Sequence, residues 1–171
     1  MTARVVAVPV VVLVCYRTAM LCVPDIRAFQ RRWAWRLLVV EALACLALAS
    51  LALRVLTFRR LAPWLGPRRL PGAGETGGPL PTPEQRTTLL RVGAAVRRAA
   101  RALPWEAVCL PRAVAAKMML SRRQVSGTLH LGAKGAGTAT GMTAHAWLSV
   151  GPVIVTGGAE RPGHAELVRF G

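Results

Sequence analysis

Apolar and polar positions divide the chain into segments of different period. Val5 to Cys15 is an apolar run behind Arg4, with Pro9 inside it. It fits the hydrophobic region of a signal peptide, a buried strand, or a segment ahead of a start codon chosen in error. It lacks a small-x-small cleavage site and is too short to span a bilayer. Leu37 to Leu53 is a second run, flanked by Arg36 and Arg54, with Glu41 inside it and Ser50 near its end. Its Ala and Leu favour helix, and a helix is expected from about Arg31 to Arg60. Its length is at the lower limit for a membrane span, and a carboxylate at membrane depth costs about 3 kcal/mol. The reading is therefore a buried or interfacial helix, with a spanning one as the alternative. Arg31, Arg32 and Arg36 at one end, and Arg54, Arg59 and Arg60 at the other, are placed to touch anionic headgroups.

Helix breakers crowd the next stretch, from Pro63 through Pro83, which marks a loop or linker. Thr82-Pro83-Glu84-Gln85 then carries an N-cap hydroxyl, a first-turn proline and a capping-box glutamine. The helix it opens should reach Arg101 or Ala102, with Leu89, Val92, Val96 and Ala99 on its buried face. Pro104 stops it. A third helix is expected from Cys109 to about Arg123, burying Leu110, Val114 and Met118, with Met119 as a further candidate. Thr128 to Gly132 and Ala144 to Val150 alternate as strands, Gly151-Pro152 turns, and Val153 to Thr156 forms a third strand. Ala133 to Met142 reads as a loop; the glycine-rich stretch Gly132 to Gly137 lacks the Gly-Lys-Ser/Thr ending and the following helix of a phosphate-binding loop. Helices followed by an antiparallel meander make an α+β fold. The expected division is residues 1–70, an apolar helical extension; 71–81, a Pro/Gly-rich linker; and 82–171, the core domain.

Charge changes the picture in one respect. There are 23 Lys+Arg against 7 Asp+Glu, a formal net charge of +16. Such a field attracts acidic peptides, nucleic acid or anionic lipid. Nucleic acid is disfavoured, because the aromatics are not interleaved with the arginines as a stacking platform requires. The hydrophobic share of 53% argues against disorder. Cys15, Cys22, Cys45 and Cys109 form no CxxC pair and have no partners at zinc spacing. A disulfide framework is not expected in a chain of this size, which suggests a reducing compartment, although a Cys15–Cys22 bridge stays open. No metal-ligand set and no cofactor motif is present.

Two residues in this frame can carry chemistry. Cys109 opens a helix, where unpaired backbone N–H groups and the positive end of the helix dipole stabilise a thiolate and an attacked carbonyl's oxyanion. His145 lies on a strand that can reach it, to take the thiol proton and return it to a leaving amine. Alone, each is more simply a buried cysteine or a satisfied strand histidine; together, in these settings, they make a Cys–His dyad. Trp105 and Trp147 are read as substrate-contacting residues, and His130 as a cleft-lining one, each with a plain core or strand role as its alternative. His164 is read as a loop residue.

Trp105-x-x-x-Cys109-Leu110-x-x-Ala113, Leu129-His130-Leu131-Gly132 and Ala144-His145-Ala146-Trp147-Leu148 resemble the lasso-peptide B-protein family, whose protease domain is transglutaminase-like. The resemblance extends over about Arg32 to Phe170, more by composition than by motif at its N-terminal end. It implies a papain/transglutaminase-like core and a leader peptidase that cuts a precursor between leader and core. It also implies three partners: that precursor, a separate leader-recognition protein, and an ATP-dependent macrolactam cyclase. The expected location is cytoplasmic, with peripheral membrane contact through the N-terminal region.

One departure is visible. The family orients its histidine with an Asp on the following strand, whereas the only Asp here is Asp25. A two-residue turn at Gly151-Pro152 sets His145 opposite Gly158. Glu160, two residues further on, is the expected orienting acid; the alternatives are a backbone carbonyl or a weakened enzyme. Two further readings of the chain stay open, a catalytically inactive membrane-associated scaffold and an acyl transferase using the same dyad.

Overall fold

The Ala- and Leu-rich run folds as helix α1, Ile26–Val55, in a computed structural model that describes residues 26–70, 80–135 and 141–171. The apolar run at Val5 to Cys15, the Cys15–Cys22 pair and most of the 71–81 linker lie outside the described residues. The chain forms two compact units, Met1–Arg36 and Leu37–Gly171. Within the first, Phe29 and Trp33 meet edge to face with centroids 5.9 Å apart, and Arg36 lies 5.5 Å over the Trp33 ring.

From Leu37 onward α1 buries Ala42, Cys45, Leu46, Ala49 and Ser50. That is the i, i+3, i+4, i+7, i+8 stripe of a helix packed on one side. Leu48, Leu51 and Val55 stay exposed on the other. By length and composition α1 is apolar enough to cross a membrane. Glu41, the carboxylate inside its apolar run, is explained by its partner: Arg123 Nη1 and Nη2 donate to its two oxygens at 3.0 and 2.6 Å. This fork-to-fork pair ties α1 to the far end of the cysteine-bearing helix.

Helix α2, Phe58–Leu61, and a 3₁₀ turn, Ala62–Leu65, follow α1. The expected single helix to Arg60 is interrupted by a bend at Leu56-Thr57. Helix α3, Pro83–Ala100, starts with the expected capping box. Gln85 N–H donates to Thr82 Oγ1 at 3.2 Å, and Thr82 N–H donates to Gln85 Oε1 at 3.0 Å. Leu89, Val92, Val96 and Ala99 are buried, as their spacing predicts. Helix α4, Cys109–Ser121, buries Ala113, Val114, Ala116 and Leu120. Of the side chains expected to be buried on it, Met118 is instead exposed and Met119 fills the core.

The sheet has five strands: β1 Arg68–Arg69, β2 Thr128–Lys134, β3 Thr143–Val150, β4 Val153–Thr156 and β5 Ala165–Phe170, in the order β1-β5-β2-β3-β4. All pairs are antiparallel. The expected meander β2-β3-β4 is present, but β5 returns to pair with β2 on the side away from β3, so β2 is central rather than an edge. Leu129, Ala146, Leu148 and Val150 share the core-facing side of β2 and β3. Lys117 from α4 closes the end of this layer, donating to the carbonyls of Gly127 at 2.6 Å and Phe170 at 3.1 Å.

The Glu41–Arg123 pair gives a test of this packing. The Arg123 hydrogen bond, with further help from the Arg123 and Arg122 charges, holds the Glu41 carboxyl below its ordinary range. A carboxylate whose folded-state pKa is depressed contributes stability above its unfolded pKa of about 4.3, and loses it as the pH falls through the lower folded value. Glu41→Gln is therefore expected to lower the unfolding free energy by about 1–3 kcal/mol at pH 7, where two charge-assisted hydrogen bonds are lost. The gap between variant and wild type should narrow toward pH 3. Urea melts at the two pH values check this; an equal gap at both would show that the pair does not anchor α1.

Candidate active site

Cys109 is placed by a change of backbone direction. Val108 is extended, with φ −67° and ψ −178°, and the chain turns helical at the next residue. No side chain caps this end. The first-turn N–H groups of Cys109 and Leu110 are thus left for another partner, while Pro111 has none to offer. The Cys109 side chain is part-exposed, unlike the buried Cys45.

His145 sits near the start of β3 and is only 7% exposed. Its Nε2 lies 2.9 Å from the carbonyl oxygen of Gly157. A carbonyl can only accept, so this bond places the imidazole proton on Nε2 and leaves Nδ1 as the basic nitrogen. Gly157 follows the last residue of β4 and has φ +75°. Its glycine identity is enforced from two sides. The backbone angle is left-handed, and a Cβ there would stand 2.6 Å from Ala146 O, 2.9 Å from Trp147 Cβ and 3.1 Å from His145 Nε2.

Cys109 and His145 line two adjoining cavities. One, of about 570 Å³, carries charged groups, with Arg97, Glu106, Arg112 and Glu160 in its wall beside Thr156 and apolar neighbours such as Val96 and Val155. The other, of about 710 Å³, is mainly apolar, with Leu53, Phe58, Leu110, Leu131 and Val168 among its lining. Both residues belong to the walls of each.

The expected orienting acid is corrected by this geometry. Glu160 lies in the rim of the first of these cavities and is exposed, and the Nε2 bond goes to the Gly157 carbonyl. The cause is a bulge. Val150 pairs with Val153 and Ser149 with Ile154, but Leu148 then pairs with Thr156, and the strand ends there. The register that sets Gly158 opposite His145 does not reach that far. The tight turn at Gly157 offers its carbonyl instead.

The other expected site residues divide. Trp105 is 37% exposed and lines the apolar cavity. Trp147 is 3% exposed, and neither it nor His130 lines either cavity. They are packed beside His145 instead of in a cavity wall. The Trp147 ring stacks on His145 at 6.0 Å and on His130 at 5.3 Å, nearly parallel to the latter, with Arg161 5.7 Å over its face. His130 is fixed in turn. Its Nε2 is 2.8 Å from Ser149 Oγ, and its Nδ1 makes an ion-pair contact with Glu166 at 3.1 Å, which Arg169 shares at 2.9 Å. Burial holds the His130 pKa below its ordinary value, against the opposing pull of Glu166.

His164, read as an ordinary loop residue, has its ring 5.2 Å from that of His145. No periodicity marked it, because the turn from Glu160 to His164 carries none. Among the described residues, no cluster of three or more His, Cys, Asp or Glu forms a metal site.

Comparison with known proteins adds a family. The family model described as the transglutaminase-like superfamily matches residues 52–169. No curated protein and no solved structure matches the chain. The match takes in the C-terminal end of α1, the cysteine-bearing helix and the strands around the histidine, and on that extent the chain belongs to the transglutaminase-like superfamily.

Proposed function

We propose that this protein is a thiol peptidase that releases the leader from a lasso-peptide precursor. The observation that carries the reading is that Cys109, at an uncapped helix N-terminus, lines the same cavities as a His145 whose Nδ1 is left basic by the Gly157 bond. The Cys and His motifs, in their resemblance to lasso B proteins, support the choice of substrate. Cys109 Sγ attacks the scissile carbonyl and His145 Nδ1 takes the thiol proton. The N–H groups of Cys109 and Leu110 hold the oxyanion. The imidazolium returns the proton to the leaving amine, which is the N-terminus of the core peptide. Water then hydrolyses the leader thioester with His145 as base. A leader-recognition protein delivers the precursor, and an ATP-dependent cyclase consumes the freed core. The net charge of +16 favours an acidic leader. The protein works in the cytoplasm, with α1 touching the membrane surface.

The test is reconstitution with a precursor and its leader-binding partner. Mass spectrometry should find one cleavage, between leader and core; intact precursor after many hours overturns the reading.

A second reading, an inactive scaffold that presents the precursor to other enzymes, is favoured by one observation. The imidazole is held by a carbonyl, which cannot offset its positive charge as a carboxylate would. A Cys109 unreactive to a thiol probe at neutral pH would favour it over the peptidase.

A further inference from the structure

One wall of the apolar cavity beside Cys109 is supplied by the segment ahead of α3. Ser50, Leu53 and Arg54 of α1, and Phe58 of α2, close it opposite Leu131 and Ala146. The segment whose composition suggests a membrane helix thus reaches the reaction centre with its C-terminal turns. Ser50 is a second and independent mark. It is only 9% exposed, lines this cavity, and its Oγ is buried with no hydrogen-bond partner. A helical serine ordinarily bonds back to the carbonyl four residues earlier, and an orphaned buried hydroxyl is costly to leave unsatisfied. A cavity of about 710 Å³ that is mainly apolar, opens at Cys109, and holds a buried hydroxyl without a partner is built for a ligand.

We infer that this cavity is the specificity pocket of the peptidase proposed above. It takes a bulky aromatic side chain flanking the scissile bond, and Ser50 bonds a polar atom on that ring. The occupant is a substrate side chain rather than a lipid or another protein surface, because the pocket opens on Cys109 and His145 themselves. The cavity on the other side, with the charged Arg97, Arg112 and Glu160 in its wall, takes the charged continuation of the same peptide.

The test needs no natural substrate. Small chloroacetamides alkylate a thiolate: sulfur bonds to the methylene carbon, and chloride leaves with the carbon–chlorine electron pair. Each reagent carries a single substituent, so its rate at Cys109, read by peptide mapping, reports where that substituent fits. The substituents are methyl, phenethyl and 4-hydroxyphenethyl, and each rate is divided by that of iodoacetamide on the same protein, so that changes in thiol reactivity cancel. In wild type the phenethyl ratio should exceed the methyl ratio about tenfold or more, and the phenol should exceed both. Leu53→Trp fills the pocket and should remove the aromatic advantage. Ser50→Ala should remove only the phenol's margin over phenyl. Thermal melts of both variants check that they fold.

Equal ratios for methyl and phenethyl in wild type, or an aromatic advantage untouched by Leu53→Trp, overturn the pocket. A phenol margin that is absent, or that survives Ser50→Ala, overturns the role of Ser50. The inference rests on the peptidase reading, yet the two fail separately. Aromatic selectivity without precursor cleavage sinks the peptidase alone, and cleavage without selectivity sinks the pocket alone.

Discussion

Cys109→Ala should cut the rate of leader release by a factor on the order of 10³ or more, the loss expected when the nucleophile of a covalent mechanism is removed. The fold should survive it. Cys109 stands at the first position of α4 with its side chain in a cavity wall, so the change deletes one sulfur atom without opening the packed core. The measurement is the rate of leader appearance by mass spectrometry, run beside a thermal melt. Equal release by wild type and variant would remove Cys109 from the chemistry, whatever its neighbours.

The second large effect is at a residue without a side chain. Gly157→Ala forces a left-handed backbone angle on a non-glycine residue and pushes a methyl group to about 3 Å from His145 Nε2. The strained angle costs about 1–3 kcal/mol of stability. The displaced carbonyl no longer fixes the imidazole, and a misplacement of about 1 Å in a catalytic group costs on the order of 10²-fold in rate. Glu160→Gln should cost far less, because that carboxylate is not on the imidazole. The ratio of the two losses decides which group orients His145. A larger loss from Glu160→Gln than from Gly157→Ala would restore the acid.

How much of this was legible in the residues follows from where the information sits. Helix α3 was readable to its first residue, since Thr82 and Gln85 act within one turn and need no tertiary partner. Cys109 at the head of α4 was readable because Pro104 and the apolar spacing after it act locally. Strand β5 was not. Ala165-Glu166-Leu167-Val168-Arg169-Phe170 carries two charges and follows a turn, and it becomes a strand only because β2 presents a free edge. The choice between Glu160 and a backbone carbonyl as the partner of His145 is hidden for a related reason. Extrapolating a regular register past Val150 and Val153 gives Gly158, and a bulge one residue long is invisible in the alternation of side chains.

The apolar run of α1 illustrates the limit of composition. Glu41 within it could mark an expensive membrane charge or a buried pair, and only the position of Arg123, far along the chain, decides between them. Trp147 and His130 show the same limit at the site. Their places in the motif suggested contact with substrate, but stacking behind His145 is a tertiary fact.

Dibromoacetone offers the shortest route to the central question, since its two reactive carbons span only a thiol and a nitrogen that already sit side by side. Treating the wild-type protein with it and mapping the digest should yield a bridged peptide pair joining the Cys109 sulfur to the His145 ring. A Cys109 alkylated at one end only, or bridged to any residue other than His145, would contradict the dyad and the mechanism drawn from it.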